Sequence, residues 1–217
     1  RGDADMVSMA RPMLADPYFV RKAAEGRADE INTCIACNQA CLDHIFELKI
    51  CSCLVNPRAC HETLLKIQPV ATARKIAVVG AGPSGLACAV TLGERGHEVT
   101  LFDAADKIGG QLNLAVQVQD KGEFYETLRY FDRRLALLGV ERKLGQRVGA
   151  GDLDAFEAVV VATGVNPRPV ELEGVERPEV LSYIQVLEGA PVGKRVAIVG
   201  TGGIGFDVAQ FLSCEGP

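Results

Sequence analysis

The stretch KIAVVGAGPSGLA, residues 75–87, decides the fold. It opens with an apolar run of the kind found in parallel strands buried on both faces. Three glycines follow at Gly80, Gly82 and Gly85. In a strand–turn–helix unit the first glycine permits the tight turn and the second lets backbone approach a pyrophosphate. The third lets helix and strand pack closely. PSGLACAVTLGERG (83–96) predicts the helix, whose N-terminal N–H groups and dipole favour negative charge. HEVTLFD (97–103) predicts a second strand. It ends at Asp103, about 20 residues on, where an acid binds ribose hydroxyls. A lone glycine pattern is weak evidence, whereas one framed by a strand, a helix and a strand-end acid points to a dinucleotide.

Further along, DKIGGQL (106–112) sets Gly109 and Gly110 beside Gln111, a second close backbone approach useful to a long cofactor. EFYETLRYFDRRLALLG (123–139) predicts an amphipathic helix closed by Gly139. AVVVATG (158–164) predicts a buried strand ending in Ala162-Thr163-Gly164. That ending resembles the strand ends of flavoproteins that bind two dinucleotides, so these features together favour FAD at the first loop. RVAIVG (195–200) predicts a strand opening a second unit, with Gly200, Gly202 and Gly205 in the same spacing. Two such units imply two dinucleotides, FAD in the first and NAD(P)H in the second. The residue that separates NADH from NADPH would follow Pro217. Strands alternating with helices place the chain in the parallel α/β class.

Ahead of the first loop, Cys34, Cys37, Cys41, Cys51 and Cys53 fall within twenty residues. The spacing Cys34-x2-Cys37-x3-Cys41 followed by a return cysteine supplies three close thiolates and one distant one. Soft sulfur ligands suit zinc or an Fe–S cluster. Structural zinc usually takes two paired motifs or mixes in His, so three-plus-one better fits a [4Fe–4S] cube, one thiolate per iron. Zinc in the same ligands stays an alternative, and Cys51 competes with Cys53 as the fourth. Cys60, Cys88 and Cys214 read as ordinary small apolar residues, and His44 and His61 as surface or supporting groups. Residues 17–25 predict a helix with Pro17 in its first turn, residues 4–9 a short strand, and Ala10-Arg11-Pro12 a loop.

Composition bounds the rest. Apolar residues make up 48% of 217, enough for a real core. A formal net charge of −5 argues against a nucleic-acid partner or a polybasic membrane surface. No apolar run approaches the roughly 20 residues a membrane span needs. The start, RGDADMVSMARPMLADP, has no apolar core of a signal peptide. Clustered thiols without a secretion signal point to metal or redox work in the cytoplasm. The missing initiator Met, and an end at Glu215-Gly216-Pro217 part-way through a helix, predict a piece of a longer protein.

The order of cysteine cluster, FAD-type loop, ATG strand and nicotinamide-type loop resembles the C-terminal half of iron–sulfur flavoenzymes built on an old-yellow-enzyme barrel, the old-yellow-enzyme/trimethylamine dehydrogenase group. INTCIACNQACLDHIF, SCLVNPRACHET, AVVGAGPSGLA, LFDAADKIGGQ, EFYETLRYF and VAIVGTGGIGFD carry the resemblance, which covers essentially the whole chain. Amine-dehydrogenase relatives space their cysteines CxxCxxC with twelve residues before the last. The spacing here therefore favours the 2,4-dienoyl-CoA and enoate reductase branch.

The resemblance implies four units. Residues 1–30 would end a (β/α)8 TIM barrel that holds FMN, and 31–70 would be the [4Fe–4S] segment and linker. Residues 71–165 would form an incomplete Rossmann-like FAD domain, and 166–217 the start of a Rossmann-like NAD(P)H domain. It also implies Cys53 as fourth cluster ligand beside Cys34, Cys37 and Cys41, and Ala10 and Arg11 at the FMN phosphate. FAD would meet Gly80, Gly82, Ser84, Gly85, Asp103, Ala104, Gly110, Gln111, Val148, Ala162, Thr163 and Gly164. The nicotinamide cofactor would meet Gly200, Gly202, Gly203 and Gly205. The implied activity is an electron relay from NADPH through FAD and the cluster to FMN, reducing an unsaturated acyl-CoA of fatty-acid breakdown. An amine dehydrogenase or enoate reductase of the same scaffold is the enzyme alternative, and a zinc-stapled dinucleotide-binding module the non-enzyme one. No catalytic residue is assigned within these 217.

Overall fold

The structure, a computed structural model, describes residues 2–214. The last three residues, expected inside a helix, lie outside them.

The N-terminal lobe is built from short pieces: α1 (Arg11–Ala15), α2 (Phe19–Ala24), a 3-10 turn (Ala28–Glu30) and α3 (Leu42–Phe46). Such short helices are not stable alone, so their tertiary bonds matter. The buried carboxylate of Asp16 gathers them. It accepts from the backbone N–H of Tyr18 and of Asn32, both at 2.9 Å, and from Lys22 Nζ at 2.6 Å. A buried charge this well bonded stabilises the lobe, whereas an unpartnered one would oppose it.

The central sheet has four parallel strands: β1 (Lys75–Val79), β2 (Glu98–Phe102), β3 (Glu141–Lys143) and β4 (Ala158–Val161), in the order β3-β2-β1-β4. Ile76 lies level with Val99 on one side and Ala158 on the other. Between β1 and β2 runs α4 (Pro83–Glu94); after β2 come α5 (Leu112–Ala115) and α6 (Glu123–Leu137). Val78, Leu86, Leu101 and Leu135 are fully buried where α4 and α6 cover the sheet. Acidic Glu123 and Glu126 open α6, Arg134 lies in its last turn, and Gly139 at φ +66° ends it, in keeping with the helix dipole and a left-handed cap. Beyond β4, α7 (Tyr183–Leu187) is capped reciprocally by Ser182 and Gln185, and α8 (Gly203–Ser213) closes the described chain. Lys121 Nζ fastens α8 to the first unit through Asp207, 2.7 Å from each carboxylate oxygen.

Several expectations are corrected. Residues 4–9 form no strand, and Met6 and Val7 are exposed. Residues 195–200 also form no strand, despite their apolar run. The reason is the same in both places: a strand exists only with a ladder partner, and neither segment has one among the described residues. The loop expected at Ala10-Arg11-Pro12 already starts α1 at Arg11, and Pro17 precedes α2 instead of lying in its first turn. β3 was not expected: its Glu-Arg-Lys sequence has no strand character, and pairing with β2 creates it. No helix among the described residues is long and apolar enough to cross a membrane.

Leu86 is the test of this core. Leu86→Ala, read by urea denaturation, is expected to cost about 3 kcal/mol, the usual consequence of a cavity at a fully buried leucine.

Candidate functional site

All four strands end at one edge of the sheet, and every segment predicted to line FAD leaves one of those ends or lies against it. β1 runs into Gly80, β2 into Asp103, β3 into the loop carrying Val148, and β4 into Ala162-Thr163-Gly164. In open parallel sheets this carboxyl edge is where ligands bind.

The first loop is shaped by what its glycines exclude. Gly80 has φ +111°, and a Cβ there would lie 2.2 Å from the Ala162 carbonyl oxygen. A Cβ at Gly85 would lie 1.7 Å from the Gly80 carbonyl oxygen. At Gly82 the same atom would meet nothing within 4 Å, so this backbone faces open space. Gly82 caps α4, leaving the N–H groups of Ser84 and Gly85 without intrahelical acceptors. Opposite stands Gly110 (φ +52°), whose Cβ would come 3.1 Å from Gly82 Cα. The two loops are tied by Gly109 N–H donating to Ala81 O at 2.7 Å, while Ala81 N–H donates to Asp103 Oδ2. Ala105 N–H donates to the other Asp103 oxygen at 2.8 Å, which holds the carboxylate beside exposed Ala104. Gln146 N–H donates to Asp103 O at 2.9 Å, drawing the Val148 loop to the same edge. Gln111 Nε2 donates to Val165 O at 3.1 Å, which joins this loop to the chain just past Gly164. The result is a notch walled by bare backbone, with helix N–H groups at one end and a carboxylate nearby. It fits an extended anionic dinucleotide such as FAD.

The second loop repeats the first in conformation. Gly200 has φ +118°, Gly202 caps α8 in the same extended form as Gly82, and a Cβ at Gly205 would lie 2.3 Å from Gly200 O. Gly203 is exposed in the first turn of α8. The turn is therefore encoded locally, independent of sheet pairing.

Cys34, Cys37, Cys41 and Cys53 line one small cavity, together with Arg11 and Asn38. Cys51 is not among its walls; its Sγ is directed at Ser52 O, 3.8 Å away. Burial pushes the Cys53 thiol up, and charge on Cys34 and Cys37 adds to this, while N–H groups of Val55 and Asn56 aimed at the sulfur pull it back. Ala36 N–H points at Cys34 Sγ at 3.4 Å. Such N–H groups stabilise thiolates and Fe–S sulfurs. Two non-glycine residues of this loop, Ala36 (φ 55°) and Asn38 (φ 60°), are left-handed. No three His, Cys, Asp or Glu side chains among the described residues converge as one metal ion would require.

Arg11, expected at an FMN phosphate, donates through Nη1 to Asn38 Oδ1 at 2.5 Å and so packs on the cysteine loop; Ala10 beside it is exposed. Neither reaches the dinucleotide notch. Ala81 and Asn38 escaped the sequence reading. Asn38 carried one usable signal, since asparagine tolerates the left-handed region, whereas nothing about Ala81 distinguishes it from other small core residues.

A family model for pyridine nucleotide-disulphide oxidoreductases matches residues 58–127 and 74–215. A metal reductase of Desulforamulus reducens is 38% identical over 99% of this chain and 33% of its own length. A bilirubin reductase of Mediterraneibacter gnavus is 34% identical over 98% of this chain and 34% of its own length. Among solved structures, a 2-naphthoyl-CoA reductase superposes with a TM-score of 0.93 at 37% identity, covering 97% of this chain and 33% of that one. The chain thus spans about a third of the length of these relatives.

The glycines separate packing from binding. Gly85→Ala is expected to destabilise the chain by about 3 kcal/mol, through forced displacement of α4. Gly82→Ala should stay within about 1 kcal/mol, the range of a weakened N-cap. Equal urea midpoints for the two variants would contradict the close approach at Gly85.

Proposed function

Because the chain belongs to the pyridine nucleotide-disulphide oxidoreductase family, we propose that it is the electron-relay portion of an iron–sulfur flavoprotein reductase. The carrying observation is the single cavity lined by Cys34, Cys37, Cys41 and Cys53, set in the same chain as a dinucleotide notch. Residues 71–165 serve as the FAD-binding unit and 166–217 as the beginning of the NADPH-binding unit. Residues 31–70 form the [4Fe–4S] segment, and 1–30 the end of an FMN barrel in which Ala10 and Arg11 contribute to the phosphate site. When bound, these groups convert a two-electron hydride donation into one-electron transfers and back, because a flavin handles both and the cluster carries one electron at a time.

The residues of this chain do the holding. Gly82, Gly110 and the free amides of Ser84 and Gly85 receive the pyrophosphate, and Asp103 keeps lone pairs for ribose hydroxyls. Gly200, Gly202, Gly203 and Gly205 do the same for the nicotinamide cofactor. Four thiolates hold the cluster, with the N–H groups of Ala36, Val55 and Asn56 offsetting their charge. The final acceptor is a conjugated acyl-CoA of the 2,4-dienoyl type. Support for the CoA-ester class comes from the likeness to a 2-naphthoyl-CoA reductase.

The first test is an anaerobic preparation assayed for iron, acid-labile sulfide, zinc and released flavin. About four irons and four sulfides per chain, with flavin, are expected; zinc without sulfide would sink the relay. Two variants should then lose different groups. Cys37→Ala is expected to remove the broad visible absorbance of the cluster and keep FAD, and Gly82→Val to remove FAD and keep iron. In the full-length protein, NADPH oxidation driven by a 2,4-dienoyl-CoA, and none driven by the saturated ester, is expected. Reduction of the protein by a secondary amine instead would assign the scaffold to amine oxidation.

A further inference from the structure

Resting on the relay proposed above, we infer that Arg129 is a positioning residue that sets the span between the cysteine cavity and the dinucleotide notch. Its side chain leaves α6, in the FAD unit, and reaches the segment immediately before Cys34. Nη1 donates to Asp29 O, and Nη2 to Ile31 O at 2.8 Å and to Thr33 Oγ1 at 3.4 Å. These partners stand 96 to 100 residues away in the chain. Glu126 Oε2 accepts from Nε at 2.6 Å, one turn back on the same helix, and so aims the guanidinium. A planar cation with five donors is suited to gripping several carbonyls at once. Arg133 adds an exposed ion pair to Asp29 Oδ2 at 2.7 Å, which contributes little by itself.

The gripped segment is a junction. Asn32, buried within it, donates its backbone N–H to Asp16 Oδ2 at 2.9 Å and its side-chain amide to Val55 O at 2.7 Å. Val55 is two residues past Cys53, so both arms of the cysteine cavity are referenced to residues 31–33. On the other side, Leu128, next to Arg129, supports the notch. A Cβ at Gly109 would come within 2.8 Å of Leu128 Cδ2, and Gly109 precedes the Gly110 that faces Gly82. Adjacent residues of one rigid helix therefore bear on both sites. Electron passage between bound groups depends steeply on their separation. A small shift of the cysteine lobe would slow transfer without emptying either site.

The test compares wild type, Arg129→Ala and Arg129→Lys in the full-length, cofactor-loaded protein. After NADPH is mixed in, cluster bleaching is followed by stopped flow. Iron, flavin and the cluster midpoint potential are measured in parallel, and amide hydrogen exchange is followed across residues 29–41. Arg129→Ala is expected to keep both cofactors and the potential, slow bleaching at least about tenfold, and raise exchange in that segment. Arg129→Lys, with one point charge in place of the fork, should recover only part of the rate. Unchanged exchange would overturn the clamp, whatever the electrons do. Unchanged bleaching, or a loss of cofactor content that accounts for slower bleaching, would overturn the positioning role. A wild type that holds both groups and passes no electrons between them would sink the relay itself, leaving exchange to judge the clamp.

Discussion

One carbon atom that is absent organises this molecule. Gly85 lies so near the Gly80 carbonyl that α4 can pack against the end of β1 only if position 85 lacks a side chain. From that approach follows the placement of Gly82 as helix cap, facing open space. It also buries Ala81 completely, so that both of its backbone groups need partners. Asp103 accepts from its N–H and Gly109 donates to its carbonyl. Two separate loops are thereby drawn to the notch by the hydrogen-bonding requirement of a single alanine. A residue with no chemistry of its own fixes the positions of those that have it.

The cysteine lobe works on a different economy. It has little apolar core, and it is held by polar bonds that converge on Asp16 and Asn32 and by the reach of Arg11 to Asn38. Left-handed Ala36 carries strain of about 1 kcal/mol or more, of the kind that persists only where surrounding contacts over-determine the backbone, whereas Asn38 tolerates the same region. The strained turn directs Ala36 N–H at Cys34.

Much of this was legible in the residues. β1, β2 and β4 announced themselves by apolar runs, α4 by the glycine spacing and α6 by its amphipathic pattern, because each signal is local and strong. Residues 195–200 carry an equally strong run yet form no strand, since strand formation is a property of pairs and no partner lies beside them among the described residues. β3 is the converse, three charged residues made into a strand by their neighbour β2. The choice between Cys51 and Cys53 could not be made from spacing, because both lie in the return segment; in the fold Cys53 lines the cavity and Cys51 does not. Arg129 was invisible for the same reason, as nothing in its surroundings along the chain anticipates partners some hundred residues earlier.

The two borders of the sheet are unlike. β3 presents Glu141, Arg142 and Lys143, all exposed, and so repels further strands by charge and shortness. β4 presents Ala-Val-Val-Val, with Val161 at 73% exposure and no strand beside it among the described residues. Unpaired N–H and C=O groups next to uncovered valines form a template that other chains can extend. An added strand would therefore find its place beside β4 and be turned away at β3.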